Sequence, residues 1–202
     1  MRDKEQAANA NYKLLLDCAQ ALISEQGCRA TTLQRIMERS GLSKGAIYHY
    51  VKSKEELFGK LLASQLDEVN EAFEKAVADS GNLDGPLRAI AEGLSALQKE
   101  DSIANRVLTY LIGQREKEGI AAVLQTYHKR CAELACGWIE DGQAAGVIRP
   151  ELDAAKTAEG FVIMAYGMCM RNLMKADGEP EPSSGSFGME DYYAHMLDVL
   201  KG

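Results

Sequence analysis

Residues 32–54 read Thr-Leu-Gln-Arg-Ile-Met-Glu-Arg-Ser-Gly-Leu-Ser-Lys-Gly-Ala-Ile-Tyr-His-Tyr-Val-Lys-Ser-Lys. Apolar residues recur at helical spacing on both sides of Gly41. A hydroxyl of Thr31 or Thr32 can cap the first helix, and that of Ser43 can cap the second. Gly41 has no Cβ and suits a tight turn between them. The stretch therefore predicts a helix, a turn and a second helix.

The second predicted helix has two chemically different faces, one apolar and one basic and polar. The polar face can lie against phosphates and reach base edges in a major groove, which is about 12 Å wide and admits one helix. An ordinary helical hairpin with a solvated polar face has the same pattern. The apolar face consists of Ala46, Ile47, Tyr50 and Val51, and the polar face of Lys44, Gly45, Tyr48, His49 and Lys52.

A long helix is predicted to begin near Lys54. Ser53 and Glu56 have the spacing of a capping box and precede an apolar run. Lys54 at a helix N-terminus opposes the helix dipole, and a nearby phosphate would reverse that effect.

These motifs together resemble the N-terminal domain of the tetracycline-repressor (TetR) family of bacterial transcription regulators. Cys28 departs from the family pattern, since an aromatic residue is common there, and Met37 stands where a small residue is usual. Both positions belong to the packing side. The matching residues are 15–19, Gly27, Thr31, Thr32, Ile36, 40–45, 47–50 and 52–57.

The resemblance implies roles for individual residues at a DNA duplex. We expect three lysines to neutralise phosphates, three hydroxyls to bond to phosphates, and one glycine to permit close backbone approach. The two expected base readers are Lys44 and His49. The lysines are Lys44, Lys52 and Lys54, the hydroxyls are those of Thr32, Ser43 and Tyr48, and the glycine is Gly45.

Helical periodicity continues to the end of the chain without an alternating strand pattern, which predicts an all-α protein of about nine helices. We expect a three-helix DNA-binding domain at residues 1–53 and a helical ligand-binding and dimerisation domain at 54–202. Residues 177–188, rich in Gly, Pro, Ser and Glu, predict a loop. The later helices are predicted near residues 102–117, 119–145, 154–174 and 189–200.

Residues 161–170 are apolar on every side of a predicted helix but are too few to span a bilayer core about 30 Å thick. Burial within protein is the better interpretation. The resemblance implies a four-helix bundle formed with a symmetry mate, here by helices near 119–145 and 154–174. We therefore predict a homodimer on a pseudo-palindromic operator, since a two-fold dimer reads two half-sites.

The resemblance also implies a pocket for a small-molecule effector in the second domain. Aromatic and methionine side chains can line such a pocket, although each can equally be ordinary core packing. The sequence does not identify the effector. The expected lining is Phe73, Tyr110, Tyr127, Trp138, Met164, Tyr166, Met168 and Met170.

The net charge of −7 is divided unevenly along the chain. Residues 1–66 have ten Lys and Arg against seven Asp and Glu, giving +3, whereas residues 67–202 have thirteen against twenty-three, giving −10. DNA should therefore meet only the N-terminal end. No basic stretch followed by an apolar run begins the chain, so we expect no signal peptide and a cytoplasmic location.

Other functions have weaker support in the sequence. Five cysteines lack close metal spacing and are expected to be buried reduced thiols, with a redox sensor as the alternative. The three histidines lie far apart, and no catalytic or cofactor motif is present, so we expect no enzyme, metal site or cofactor. Two alternatives to a repressor remain: a transcriptional activator, and a helical interaction module that does not bind DNA.

Overall fold

Every regular element in the computed structural model is an α-helix, within the residues that it describes: 2–79, 82–98, 102–174 and 187–201. Nine helices occur in these ranges, which confirms the predicted all-α class. None of these described helices is both long and apolar enough to cross a membrane. Most of the loop predicted at 177–188 lies outside the described residues. The helices are α1 (Arg2–Ala30), α2 (Leu33–Ser40), α3 (Lys44–Tyr50), α4 (Lys54–Asp79), α5 (Asp84–Gln98), α6 (Ile103–Ile112), α7 (Ile120–Ala144), α8 (Ala154–Leu173) and α9 (Met189–Lys201).

Local hydrogen bonds fix several helix boundaries where the sequence predicts them. The Asp153 carboxylate caps α8 by accepting from the Lys156 N–H at 3.0 Å. The Ser53 hydroxyl accepts from the Glu56 N–H at 3.1 Å at the start of α4. The Glu56 carboxylate accepts in return from the Lys52 N–H at 2.8 Å, one residue before the position that a capping box would use.

Helix α6 is shorter than the predicted span of residues 102–117. It ends at Ile112, and the chain then forms tight turns in which the Gln114 N–H donates to the Leu111 carbonyl at 3.0 Å. Gly119, with a φ of 82°, completes the connection to α7. A left-handed backbone of this kind is accessible mainly to glycine, so the glycine ends the turn and lets the next helix begin.

The helices pack into two compact units. The first unit contains residues 1–64 and 103–127, and the second contains residues 65–102 and 128–202. Helices α4 and α7 each contribute residues to both units. The functional division predicted at residue 54 stays a prediction.

In the first unit, α1 packs against α2 and α6, and α2 packs against α3. Its core includes fully buried side chains from each of these helices and from α4. Leucine, isoleucine and phenylalanine dominate, and burying each such side chain favours folding by about 1.5–3 kcal/mol. The largest fully buried members are Leu15, Ile23, Ile36, Ile47, Leu57, Phe58, Leu61, Leu62, Leu111 and, from α7, Ile120.

In the second unit, α5 packs against α8 and α9 around another apolar core. Tyr192 of α9 is buried in this core, and its hydroxyl donates to the Phe161 carbonyl of α8 at 3.0 Å. That bond satisfies a polar atom which would be costly to bury without a partner. Burial raises the pKa of the Tyr192 phenol, so the hydroxyl stays protonated and able to donate.

Candidate DNA-binding surface

The turn between α2 and α3 has the geometry that the sequence predicts. The Thr32 hydroxyl caps α2 by accepting from the Arg35 N–H at 3.2 Å, and the Ser43 hydroxyl caps α3 by accepting from the Ala46 N–H at 3.2 Å. Gly41 ends α2 in a left-handed conformation with a φ of 68°. Each capping hydroxyl retains its own hydrogen, so it can still donate to a phosphate oxygen.

Helix α3 buries one face and exposes the other, as predicted. Ile47 is buried, as is Val51 directly after the helix. The Tyr48 side chain is 49% exposed. The residues of the predicted polar face, which are all exposed, are Lys44, Gly45, Tyr48, His49 and Lys52.

Aromatic contacts fix the orientation of α3 against α1. The rings of Tyr12 and Tyr50 lie with their centroids 5.6 Å apart, and His49 meets Tyr50 edge-on at 5.2 Å. On the outer face, the Lys44 ammonium lies 5.8 Å from the centroid of the Tyr48 ring. Contacts between two aromatic rings contribute about 0.5–1.5 kcal/mol each. Tyr12 was not among the residues predicted from the sequence, because nothing in its local spacing connects it to α3.

The two arginines of α2 are paired with α1. The Arg39 guanidinium donates to the Glu25 carboxylate at 2.6 Å, and this bond lowers the pKa of the Glu25 carboxyl group. Arg35 donates to the Gln26 side chain. The arginines therefore help to join α2 to α1. Within the described residues, neither Lys44 nor Lys52 forms an ion pair, so both cations can bind phosphate without breaking one.

Lys54 makes internal contacts within the first unit. Its ammonium donates to the Cys28 carbonyl at 3.1 Å and lies 4.8 Å from the centroid of the Tyr110 ring. The last carbonyls of a helix lack helical partners and attract cations, so the C-terminal turn of α1 provides a site for the ammonium. The predicted phosphate contact of Lys54 stays a prediction, and in this structure its ammonium makes these internal contacts.

The residues expected to line a pocket are divided between the two units. Tyr110 and Tyr127 belong to the first unit and the other six to the second. In the second unit, Phe73 stacks on Trp138 with centroids 5.0 Å apart, and Met168 is buried in the core. Met164 and Tyr166 pack against that core, whereas Met170 is 41% exposed.

Tyr166 lies beside polar groups of α7 and α8. Its hydroxyl is 3.5 Å from Nδ1 of His128, whose Nε2 is 3.4 Å from the Glu159 carboxylate. Burial is the main cause that raises the pKa of the Tyr166 phenol, and an interaction with Cys131 adds to it.

Helix α8 is not buried all round in the single chain. Phe161 and Met168 pack into the core, but Ile163 is 58% exposed and Met174, directly after the helix, is 77% exposed. A single chain leaves such side chains in water, whereas the sequence prediction places a second copy over them. At Gly160 and Gly167 an added Cβ would meet nothing within 4 Å, so the backbone is accessible on this side.

The cysteines differ from the expectation in part. None of the five, all within the described ranges, forms a disulfide, but only Cys18 and Cys28 are fully buried. Burial raises the pKa of the Cys18, Cys28 and Cys169 thiols, which keeps them protonated and less reactive. Cys28, which departs from the family pattern, donates its thiol hydrogen to the Arg106 carbonyl at 3.6 Å. Over the described residues, no cluster of His, Cys, Asp and Glu is arranged to hold a metal ion.

Comparison with known proteins identifies relatives across most of the chain. The family of bacterial regulatory proteins described as tetR matches residues 15–61. The HTH-type transcriptional repressor KstR2 of Rhodococcus jostii is 31% identical, over 69% of this chain and 68% of the relative. The HTH-type transcriptional regulator YfiR of Bacillus subtilis is 26% identical, over 91% of this chain and 87% of the relative.

A solved structure gives the same result for the fold. A protein from a Rhodococcus species, described as a TetR-family transcriptional regulator, superposes with a TM-score of 0.66 at 21% identity. The match covers 95% of this chain and 98% of that one. The N-terminal helix-turn-helix followed by a helical C-terminal domain is therefore the fold of this chain.

Proposed function

Since the chain belongs to the TetR family of bacterial transcriptional regulators, we propose that it is a homodimeric repressor that a small-molecule effector releases from a pseudo-palindromic DNA operator. Membership of the family makes it a DNA-binding regulator and not an enzyme. The observation that carries the proposal is the exposed face of α3, where Lys44, Tyr48 and His49 lie above a buried apolar face.

In the proposed complex, α3 enters the major groove. Lys44 and His49 read base edges, and Lys52 neutralises a phosphate. The hydroxyls of Thr32, Ser43 and Tyr48 bond to phosphates, which is compatible with the capping bonds that the first two already accept. Gly45, which has no side chain, lets the backbone approach the duplex closely.

The choice of a repressor is supported by the relative KstR2 of Rhodococcus jostii, which is named a transcriptional repressor. An activator could use the same surface of α3. A transcription reporter fused to the proposed operator, compared with and without the gene for this chain, separates the two: repression requires higher reporter output when the gene is absent.

The proposed dimer forms through helices near residues 119–145 and 154–174. It is supported by exposed apolar side chains that recur along one side of α8, since contiguous apolar surface on a regulator marks a protein contact. The side chains are Ile163, Met170, Leu173 and Met174. Two copies of α3 would then read half-sites about 34–36 Å apart for one helical turn of DNA.

The proposed effector site lies in the second unit, around the stacked Phe73 and Trp138 and the partly buried Met164 and Tyr166. An effector weakens DNA binding only if it binds the arrangement that does not bind DNA more tightly than the one that does. By the same linkage, operator DNA must weaken effector binding by the same factor. We expect this regulator in the bacterial cytoplasm, where the chromosome lies.

A gel shift with the DNA upstream of the chain's own gene tests the function. Affinity should fall steeply as salt rises, because each phosphate contact releases counterions. Lys44→Ala should weaken binding, while the control Lys75→Ala, at an exposed lysine of α4 in the second unit, should leave it unchanged. Equal affinity for all three proteins, or no binding at any salt, would favour a helical interaction module instead.

A further inference from the structure

Lys54 is held inside the first unit by groups from three helices. Its ammonium donates to the Cys28 carbonyl, which lies in the last turn of α1 after the break at Gly27. Cys28 is two residues from the end of α1 at Ala30, where the last carbonyls of a helix lack the N–H partners of a continuing helix. The ammonium satisfies one of them.

Two aromatic rings complete the environment of this ammonium. The Tyr110 centroid lies 4.8 Å from Nζ of Lys54, and the Phe58 centroid lies 5.6 Å from it. The rings contact each other edge-on at 5.6 Å. The Tyr110 hydroxyl donates to the Glu55 carboxylate at 3.4 Å. A cation within about 6 Å of a ring face is attracted by the ring quadrupole, so both rings hold Lys54 in place.

Helix α6 is attached to α1 at the same end by two further bonds. The Arg106 guanidinium donates to the Ser24 carbonyl at 3.4 Å, and the Cys28 thiol donates to the Arg106 carbonyl at 3.6 Å. The end of α1, the start of α4 and the middle of α6 therefore meet at Lys54. Helix α1 also contacts α3 through Tyr12 and Tyr50, so the same helix connects this meeting point to α3.

We propose that Lys54, Glu55 and Tyr110 form a brace that fixes α1, α4 and α6 in the arrangement in which α3 reads DNA. The proposal rests on the proposed function, because it concerns binding to an operator. Lys54 then supports operator affinity from inside the protein and not through a phosphate contact. Tyr110 is a positioning residue for DNA binding and not part of an effector pocket.

The contrast with Lys52, two residues earlier, gives the sharpest test. Lys52 is exposed, whereas Lys54 is half-buried against the rings. Lys52→Met should lower the salt dependence of binding. The slope of the logarithm of the binding constant against the logarithm of the salt concentration should become shallower by about 0.9 for each phosphate that is no longer neutralised, or about 1.8 for a dimer. Its affinity should fall by the same factor on operator and on unrelated DNA.

Lys54→Met should behave differently. It should weaken operator binding by about fivefold to thirtyfold while leaving the salt slope and the affinity for unrelated DNA unchanged. Tyr110→Leu should have the same effect, and Tyr110→Phe, which removes only the bond to Glu55, a smaller one. Lys54→Arg keeps a cation over the rings and should restore most of the operator affinity.

Amide hydrogen exchange of the intact protein without DNA provides an independent readout. Exchange at residues 24–30 and 44–50 should become faster in Lys54→Met and Tyr110→Leu, but not in Lys52→Met. Faster exchange throughout the chain would indicate general unfolding. In that case, the milder Lys54→Arg and Tyr110→Phe variants distinguish loss of the brace from general unfolding.

The brace is overturned if Lys54→Met lowers the salt slope as Lys52→Met does, or if exchange at 44–50 is unchanged in both brace variants. A different result bears on the proposed function: if the unmodified protein does not prefer its operator to unrelated DNA, that function fails. The exchange measurement still tests the brace in that case.

Discussion

Helices α3 and α8 both bury one face and expose the other, but the exposed faces differ in chemistry. That of α3 carries Lys44, Tyr48 and His49, whereas that of α8 carries Ile163 and Met170. An exposed cation is well hydrated, and its binding to a DNA phosphate is favoured by the release of counterions. Contiguous exposed apolar groups are stabilised when another apolar surface covers them. This difference favours nucleic acid as the partner of α3 and protein as the partner of α8.

The largest effect is expected when the apolar face of α8 receives a charge. Ile163→Glu places an unpaired carboxylate in the proposed dimer interface, which costs about 3–5 kcal/mol, or more than about a hundredfold in the dimer dissociation constant. Sedimentation equilibrium at micromolar concentration measures it. The control Ala194→Glu adds the same charge at an exposed position of α9 and should stay dimeric. An unchanged dissociation constant for Ile163→Glu would remove α8 from the interface.

The next largest effect concerns the buried face of α3. Ile47 is 1% exposed, so Ile47→Ala should lower the free energy of unfolding by about 2–5 kcal/mol, because it reduces apolar burial and leaves a cavity. Urea denaturation of the unmodified and variant proteins gives the difference. The matched control is Tyr48→Ala at the exposed neighbouring position, which should leave the free energy of unfolding nearly unchanged. Similar losses of stability at both positions would contradict the division of α3 into two faces.

Tyr48→Ala should weaken operator binding by about tenfold, which corresponds to about 1.4 kcal/mol, because it removes a ring and a hydroxyl from the DNA-facing side. Gel shifts at one fixed salt concentration measure the change. Tyr48→Phe retains the ring and should weaken binding less. Unchanged operator affinity in Tyr48→Ala would rule out the assigned contact.

The smallest effect is expected at Gly45, with opposite signs for stability and binding. An added Cβ meets nothing within 4 Å, and alanine favours helix over glycine, so Gly45→Ala should raise the free energy of unfolding by about 0.5–1 kcal/mol. It should also weaken operator binding, because the methyl group separates the backbone from DNA. Thermal denaturation measures the stability and a gel shift on the same sample measures the operator affinity. A gain in stability with full affinity would show that the duplex does not approach this residue closely.

Local patterns in the sequence predicted most of the first unit's architecture correctly. Capping by Thr32 and Ser43 depends on a hydroxyl and an amide three residues apart, and the turn at Gly41 depends on one residue type. The two faces of α3 follow from the 3.6-residue period. The C-terminal end of α6 was predicted five residues too late, because periodicity does not detect the tight turns that follow Ile112.

Long-range contacts were less accessible to sequence reasoning. The ammonium of Lys54 binds the carbonyl of Cys28, which is 26 residues away, and no local pattern predicts that contact. Tyr110, which the sequence places in the expected pocket lining, belongs to the first unit, where its hydroxyl contacts Glu55 from 55 residues away. Composition identified aromatic side chains but carried no information on which of them meet.

The sequence by itself determined most of the helices and their caps, the polar and apolar faces of α3 and the family, because each of these depends on groups a few residues apart or on a motif of fixed spacing. The tertiary structure decided which cationic side chains bind other groups of the protein, as Lys54 and Arg39 do, and which apolar residues stay exposed, as Ile163 does. A long, flexible side chain binds whichever group the fold brings within reach, and burial depends on neighbours that are distant along the chain.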